Sequence, residues 1–282
     1  MPKIAAVVLL FYPSEEVLSH IETYCHEVMH LYLVDNTEEH ALSVFLKEKL
    51  LSFPNVSVIH QYENIGIAKA FNLALKHAKK DGYDWLLTMD QDSYFGKKEW
   101  SDYLAHFVSL RQYGKVGVIA PMHNRKFVEH SVETLYVKQE AVLSSGNLLH
   151  VEHALNAGAF DEALFIDEVD HAFCFELQRH GYDILRDQTV YLNHELGTPL
   201  GTHGNIRLYP AQRLYYMLRN YLYIQKKYTD DFPDFIQNRG RYLMKFFMKQ
   251  LLFGNERILS IRMLWQGYMD HRHSIYGKYH GK

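Results

Sequence analysis

The sequence lacks several features that define special classes of protein. Only two cysteines are present among 282 residues, which excludes a disulfide framework and a four-cysteine zinc site. No run of 18 apolar residues occurs, so no transmembrane helix is predicted. The apolar start at residues 4–11 runs into Tyr12-Pro13 rather than a secretory cleavage site. With 48% hydrophobic residues and no repeats, the chain is expected to be a globular cytoplasmic protein with a full core.

The chain lacks an excess of positive charge except at one end. Residues 239–282 hold nine lysines and arginines against two acidic residues, while the whole chain has a net charge of −3. A basic, aromatic segment of this length is typical of an interfacial helix, which would place the protein peripherally on the inner face of a membrane. A helix pair packed on the rest of the chain, or on a second copy in a homodimer, is equally open. The acidic remainder argues against a nucleic-acid partner.

Apolar runs alternate with helical patterns through the first 120 residues. Alternation of this kind predicts an α/β fold, with a mainly parallel sheet flanked by helices. The predicted strands are 4–11, 31–34, 56–59, 85–89 and 116–120. Ligands of such sheets bind at the carboxyl ends of the strands, and the strand ends here carry polar residues.

The second half is predicted to be less regular. Residues 121–165 are expected to be irregular, and 193–209 to form a loop rich in Gly, His and Asn, a candidate lid. Helices are expected at 168–180, 210–227 and 241–265, with a polar hinge at 228–240. The predicted organisation is one domain at 1–227 and a basic, aromatic helical extension at 228–282.

Two motifs in the first half are suited to phosphate chemistry. Asp90 and Asp92 follow the fourth predicted strand, and such a pair can hold a divalent cation that bridges two phosphates. Earlier in the chain, Asn64 can cap the predicted helix that begins near Ile67, and Gly66 permits close approach of the backbone to a ligand. The N-terminus of a helix favours anions. The alternatives are a strand-end turn for the acids and an ordinary capped amphipathic helix for the glycine segment.

These motifs, taken in order, resemble the nucleotide-sugar half of the family 2 glycosyltransferases of the GT-A fold. The segments that carry the resemblance are Phe11-Tyr12-Pro13, Val34-Asp35-Asn36, the stretch from Asn64 to Asn72, and Asp90-x-Asp92. Farther along, Ser145-Gly146-Asn147 resembles the family's acceptor-side segment, and residues 165–170 resemble its acidic motif. Residues 194–220 look like the bacterial rhamnosyltransferase branch. The resemblance covers about residues 3–225 and implies a GT-A-like sheet with a C-terminal helical extension.

The resemblance implies roles for individual residues. Donor binding would involve Phe11 or Tyr12 at the base, Asp35 at the pyrimidine, and Asp90 at the sugar or ribose. Asn64, Gly66 and Lys69 would lie near the nucleotide and its phosphates, and Asn36 would also bind donor. Acceptor binding would involve Ser145, Gly146 and Asn147. Asp92 and Asp90 would hold Mg²⁺ or Mn²⁺, and His194 could add a third ligand or a phosphate donor.

The general base is expected within Asp167-Glu168-Val169-Asp170, where the family usually has Glu-Asp-x-Asp. Asp167, Glu168 and Asp170 are the candidates. Asp167 is favoured because a helix starting here would put it on one face with Asp170 and turn Glu168 away. A carboxylate can take the proton of an attacking sugar hydroxyl. Arg213 or Arg219 could stabilise the departing diphosphate.

The predicted function is therefore an inverting, metal-dependent glycosyltransferase. It would move rhamnose from dTDP-rhamnose onto a bacterial cell-surface glycan or a lipid-linked acceptor. The alternatives are a UDP-hexose donor and a non-catalytic module that binds a nucleotide-sugar or glycan. A nucleotidyltransferase would need a loop rich in Gly, Arg and Lys near the first strand, and the sequence there lacks one.

Overall fold

The computed structural model describes residues 2–38, 44–53, 55–110, 114–123, 134–194 and 208–281. Within these ranges the strands form one sheet. The strands are β1 (Ile4–Leu10), β2 (His30–Asp35), β3 (Val56–His60), β4 (Trp85–Asp90), β5 (Ser93–Phe95), β6 (Val116–His123), β7 (Tyr136–Lys138), β8 (Asn147–His150) and β9 (Asp183–His194). The helices are α1 (Glu16–Glu22), α2 (Val44–Leu51), α3 (Ile67–Lys80), α4 (Lys97–Ser109), α5 (Val151–Asn156), α6 (Val169–Arg179), α7 (Ala211–Tyr228), α8 (Pro233–Phe253) and α9 (Arg257–Arg272).

The order of strands in the sheet is β3-β2-β1-β4-β8-β6-β9-β5, with β7 paired to β9. The first four strands of this order are parallel, as predicted. Strand β8 then runs antiparallel between β4 and β6. Because β6 and β9 are again parallel to each other, the second half of the sheet is mixed rather than parallel.

Helices cover both faces of the sheet, and the alternation of side chains along β1 shows how. Ala5, Val7 and Leu9 face a core shared with α3, α5, α6 and α7. Ile4, Ala6, Val8 and Leu10 face a second core shared with α1, α2 and α4. Every residue of β1 is buried, as expected for the continuous apolar run of a central parallel strand. The predicted α/β class with a C-terminal helical extension is confirmed.

Three sequence expectations are wrong in detail. Residues 121–165, predicted irregular, contain β7, β8 and α5. Most of the predicted hinge at 228–240 is helical, because Pro233 at the first turn suits a helix start. The predicted helix at 241–265 is divided at Gly254, where an added Cβ would lie 2.4 Å from the carbonyl oxygen of Gln250. The predicted lid lies mostly at 195–207, outside the described residues.

The C-terminal helices α8 and α9 pack on α7 and on the segment that contains Phe165. Met263 of α9 belongs to one apolar cluster with Phe165 and with Tyr215 and Tyr216 of α7. Leu243 of α8 packs on Leu214 and Met217 of α7, and Leu264 of α9 contacts the same cluster. The division of the chain at residue 228 stays a prediction. No described helix combines the length and apolar character that crossing a bilayer requires.

Candidate active site

A cavity of about 310 Å³ opens where β4 ends and α6 begins. Its floor is formed by Asp90 and by residues 143–145, and the acidic segment 166–171 forms one wall. The other lining side chains are Tyr209, which precedes α7, Arg213 and Met217 of α7, and Arg239, Tyr242 and Phe246 of α8. The cavity therefore lies at the carboxyl end of a parallel strand, as the sequence predicted.

The strand-end loops beside the cavity are tied together by one amide side chain. Gln91 accepts a hydrogen bond from the backbone N–H of Phe11 at 2.8 Å and donates one to its carbonyl at 3.0 Å. The backbone N–H of Tyr12 donates to Thr37 Oγ1 at 3.1 Å, which adds the loop after β2. Only the two acidic residues of Asp90-Gln91-Asp92 were predicted to be functional, and the role of Gln91 in joining these loops was not predicted.

The predicted base-binding residues differ in exposure. Phe11 and Tyr12 are 45% and 53% exposed and meet edge to face, with ring centroids 4.7 Å apart. Asp35 is buried, and its carboxylate contacts His60 Nδ1 and the backbone N–H of Thr37, each at 3.0 Å. Asn36 is buried too and has its Oδ1 without a hydrogen-bond partner. The rings are open to a ligand, whereas Asp35 already holds two groups of the protein.

The glycine segment supports the acidic wall of the cavity. Asn64 Oδ1 accepts from the Gly66 N–H at 3.0 Å, and the N–H of Ile67 donates to the carbonyl of Phe165 at 2.7 Å. Gly66 has φ 82° and ψ 166°, a conformation that essentially only glycine adopts. A Cβ there would lie 2.5 Å from the Phe165 ring. The close approach predicted for a ligand is thus made by the protein itself, and Lys69 is exposed outside the cavity.

We expect Gly66→Ala to destabilise the fold by about 2 kcal/mol or more, because backbone strain and displacement of Phe165 add together. Gly82→Ala is a matched control, since Gly82 has φ +78° but no atom within 4 Å of an added Cβ. Urea unfolding of both variants measures the difference. Equal losses would mean that Phe165 moves aside at no cost.

The acidic segment does not begin a helix at Asp167, which corrects the argument used to favour that residue. Phe165, Asp167 and Glu168 have left-handed φ values of 62°, 60° and 63°, and the helix starts only at Val169. The Asn220 side-chain amide of α7 holds this turn by donating to the carbonyls of Ile166 at 2.6 Å and Asp167 at 3.0 Å. Asp167 therefore lies outside the helix and does not share a helical face with Asp170.

The three candidate carboxylates have different partners. Both oxygens of Asp167 accept from Arg213, at 3.0 and 3.3 Å. Glu168 accepts from His171 at 2.6 Å through one oxygen and from Arg239 at 2.8 Å through the other. Asp170 uses one oxygen to accept from the backbone N–H of His171 at 2.9 Å. Among the described residues, its second oxygen has no hydrogen-bond partner.

Burial and these partners shift the pKa values of Asp167 and Glu168 in opposite directions. Burial raises the pKa of Asp167 even though Arg213 opposes the change. Burial would also raise the pKa of Glu168, but His171 and Arg239 outweigh it and the pKa is lowered. At the end of β4, burial raises the pKa of Asp90 to about 7, with further contributions from the charges of Asp92 and Asp170. The negative charges of Asp92 and Asp170 close to Asp90 favour a cation near the end of β4.

The Glu168–His171 pair gives a pH dependence. Burial lowers the pKa of His171, but Asp170 and Glu168 outweigh burial and the pKa is raised above 6.5. A raised histidine pKa contributes stability that is complete below about pH 6.5 and is lost as the pH rises through the folded value. We expect urea unfolding to show this decline in the wild type and a flatter profile in His171→Gln. Parallel profiles would show that the imidazole stays neutral.

Of the two arginines predicted to stabilise the leaving group, only one lines the cavity. Arg213 lines the cavity and lies over the Tyr209 ring at 4.7 Å. Arg219 is fully buried in α7, where its guanidinium donates to the hydroxyl of Tyr215 and to the carbonyl of Gly277. Arg219 therefore contacts protein and does not line the cavity, contrary to the expectation that it binds donor.

The predicted acceptor segment lies against β4. Ser145 Oγ accepts from the N–H of Asp90 at 3.0 Å, and the Gly146 N–H donates to the Thr88 carbonyl at 2.7 Å. Of this segment, Ser145 lines the cavity, while Gly146 and Asn147 lie outside it. Asn147 is buried with its Oδ1 unpaired.

The donor set for a divalent metal consists of Asp90 and Asp92. No group of three or more His, Cys, Asp or Glu side chains suited to a metal ion occurs in the described ranges. Two carboxylates are nevertheless sufficient for Mg²⁺ when diphosphate oxygens complete the shell. His194 pairs with Ser93 through the strand backbone, and its side chain lies outside the described part of the structure. Asp90 and Asp92 thus fit the metal that the resemblance implies.

The contribution of α8 to the cavity was not predicted from the sequence. Arg239, Tyr242 and Phe246 line it, and Arg239 forms an ion pair with the buried Glu168 at 2.6 Å. The Tyr242 and Phe246 rings stack with centroids 6.2 Å apart. The basic and aromatic residues of this segment left a membrane, a second copy or the rest of the chain open as its contact. Nothing in the local sequence distinguishes Arg239 from its basic neighbours.

Comparison with known proteins assigns the chain to the glycosyltransferases. Residues 15–158 match the Glycosyl transferase family 2 profile, which is half of the chain, and the chain belongs to that family. Among curated proteins it is similar to the dTDP-rhamnosyl transferase RfbF of Shigella flexneri. The two are 26% identical over 247 residues, which is 79% of this chain and 80% of the relative.

Solved structures agree on the GT-A fold. GalNAc-T7 with UDP, GalNAc and Mn²⁺ superposes with a TM-score of 0.63 at 13% identity, over 96% of this chain. The present chain spans 55% of that protein's length. TarS 1–349 of S. aureus with UDP-GlcNAc gives a TM-score of 0.58 at 15% identity, over 97% of this chain and 81% of that one. At these identities the likeness establishes the fold alone.

Proposed function

We propose that this glycosyltransferase transfers rhamnose from dTDP-rhamnose to a glycan hydroxyl with inversion at the anomeric carbon. The observation that carries the proposal is that Asp90 and Asp170 line the same cavity and that, among the described residues, one oxygen of Asp170 has no hydrogen-bond partner. One carboxylate lies at the strand end where a donor would bind, and the other keeps an oxygen for proton transfer. The similarity to the Shigella rhamnosyl transferase supports the choice of donor.

We assign the general base to Asp170. A base needs a lone pair that can reach the acceptor hydroxyl. Arg213 occupies both oxygens of Asp167, and His171 and Arg239 occupy both oxygens of Glu168. Asp170 lines the cavity with one oxygen left for the substrate. The acceptor oxygen would form a bond to the anomeric carbon as its proton passes to Asp170, and the bond to the diphosphate oxygen would break with its electron pair leaving on dTDP.

The charge that develops on the diphosphate needs positive partners. Asp90 and Asp92 would hold Mg²⁺ or Mn²⁺, which supplies Lewis-acid stabilisation of the leaving oxygens. Arg213 lines the same cavity and adds a fixed positive charge, although Asp167 neutralises part of it. The aromatic wall formed by Tyr209, Tyr242 and Phe246 offers flat apolar surfaces to a sugar ring.

A UDP-sugar donor is the second candidate, because the two structural neighbours were solved with UDP and UDP-GlcNAc. Release of nucleoside diphosphate from a panel of dTDP- and UDP-sugars, with Mg²⁺ or Mn²⁺, separates the candidates. We expect dTDP release from dTDP-rhamnose to be fastest. Faster UDP release would overturn the choice of donor, and no release by folded protein would favour a non-catalytic binding module.

A further inference from the structure

The outer side of α8 carries a stripe of uncovered apolar side chains. Met244, Met248 and Leu252 are 62%, 50% and 63% exposed. They are spaced four residues apart, so they lie along one side of the helix. Arg241, Lys245 and Lys249, all exposed, each precede one of them by three residues. Every exposed apolar residue of this stripe therefore has a cation as its neighbour on the helix surface.

Helix α9 repeats the arrangement. Ile258, Ile261 and Trp265 are 86%, 57% and 62% exposed. Arg257 precedes Ile261 by four residues, and Arg262 follows Ile258 by four, so cations again flank the apolar side chains. We call the exposed residues of the two helices, from Arg241 to Tyr268, the α8–α9 face.

Exposed apolar residues are concentrated on this face. Of the eighteen large hydrophobic side chains that are exposed in the described part of the chain, ten lie between residues 242 and 268. Single exposed hydrophobics are common on any protein, whereas a concentration of this kind marks an interaction surface.

We propose that the α8–α9 face docks on an anionic lipid surface. Apolar side chains that alternate with lysine and arginine are suited to insertion at a headgroup boundary, with the cations at the lipid phosphates. Trp265 is of the residue type that anchors at such boundaries. A second copy is a poorer partner, because an isologous contact would bring the same cations against each other.

The same helix connects this face with the cavity. Tyr242 and Phe246 line the cavity, and Met244 and Met248 lie on the exposed side of α8. Docking through the α8–α9 face would therefore hold the cavity next to the membrane. A glycan acceptor anchored in that membrane would then lie within reach of the cavity, a consequence that rests on the proposed function.

Sedimentation with vesicles of phosphatidylcholine, with and without phosphatidylglycerol, tests the docking. We expect the full chain to bind the anionic vesicles and to leave them as salt is raised. Lys245→Glu/Lys249→Glu should lower the partition coefficient about 30-fold or more. Lys76→Glu/Lys80→Glu is a matched control, because both lysines are exposed and lie four residues apart on α3. Met248→Glu and Met29→Glu, two half-exposed methionines, form a second pair.

The docking proposal fails if the α8 variants bind as the α3 control does, or if vesicle binding does not depend on phosphatidylglycerol. It also fails if Met248→Glu converts a dimer to a monomer in sedimentation equilibrium without changing vesicle binding. Hydrolysis of donor in the absence of vesicles is expected to be unchanged in Lys245→Glu/Lys249→Glu. That readout separates the failure of docking from the failure of the proposed function.

Discussion

Arg239→Ala is expected to lower the free energy of unfolding by about 3 kcal/mol, because it leaves a buried carboxylate with one partner fewer. Glu168 is 2% exposed, and its lowered pKa keeps it ionised at neutral pH. Without Arg239 the turn at 165–168 loses its link to α8. Turnover should fall about 100-fold as well, because small displacements of catalytic groups have large effects on rate.

Urea unfolding and steady-state kinetics on Arg239→Ala and Arg241→Ala provide the test. Arg241 lies on the same helix and is exposed, so its loss should change stability by less than about 0.5 kcal/mol. Adding Glu168→Gln to Arg239→Ala should recover part of the stability, since a neutral amide is less costly to bury than a carboxylate. Similar stabilities for the two alanine variants would show that Glu168 does not depend on Arg239.

Asp170→Asn is expected to lower turnover by about 10² to 10⁴-fold while leaving the affinity for nucleotide unchanged. An amide keeps the shape of the side chain but cannot accept the proton of the acceptor hydroxyl. Asp167→Asn should have a smaller effect on turnover, because Asp167 is engaged by Arg213. Steady-state kinetics and nucleotide binding of both variants provide the test. If Asp167→Asn loses more turnover than Asp170→Asn, the assignment of the base is wrong.

The parts of the fold that were predictable are those whose pattern is local. The apolar run of β1 and the helical spacing of α3 are visible in the sequence because each element buries a regular face. Strand β8 was not predicted, because it has only four residues and depends on pairing with β4 and β6. Strand β9 carries polar residues throughout, and its pairing partners lie far along the chain.

The residues of the site were likewise predictable only where a local pattern marks them. Asp90 was found because it follows a recognisable strand, and the acidic segment was found because it resembles the acidic motif of the family. Arg213 and Arg219 lie six residues apart on α7, which puts them on different sides of the helix, and only packing decides which one meets the cavity. Arg239 lies 71 residues from Glu168, so no local pattern could connect them.

Calorimetric titration of the wild-type chain and Asp90→Asn with dTDP and with UDP, each with and without Mg²⁺ or Mn²⁺, tests whether the cavity is a metal-dependent donor site. We expect dTDP to bind more tightly than UDP, binding to require the metal, and Asp90→Asn to weaken binding strongly. Metal-independent binding that Asp90→Asn leaves intact, or no binding of either nucleotide to the folded wild type, would contradict the proposed function.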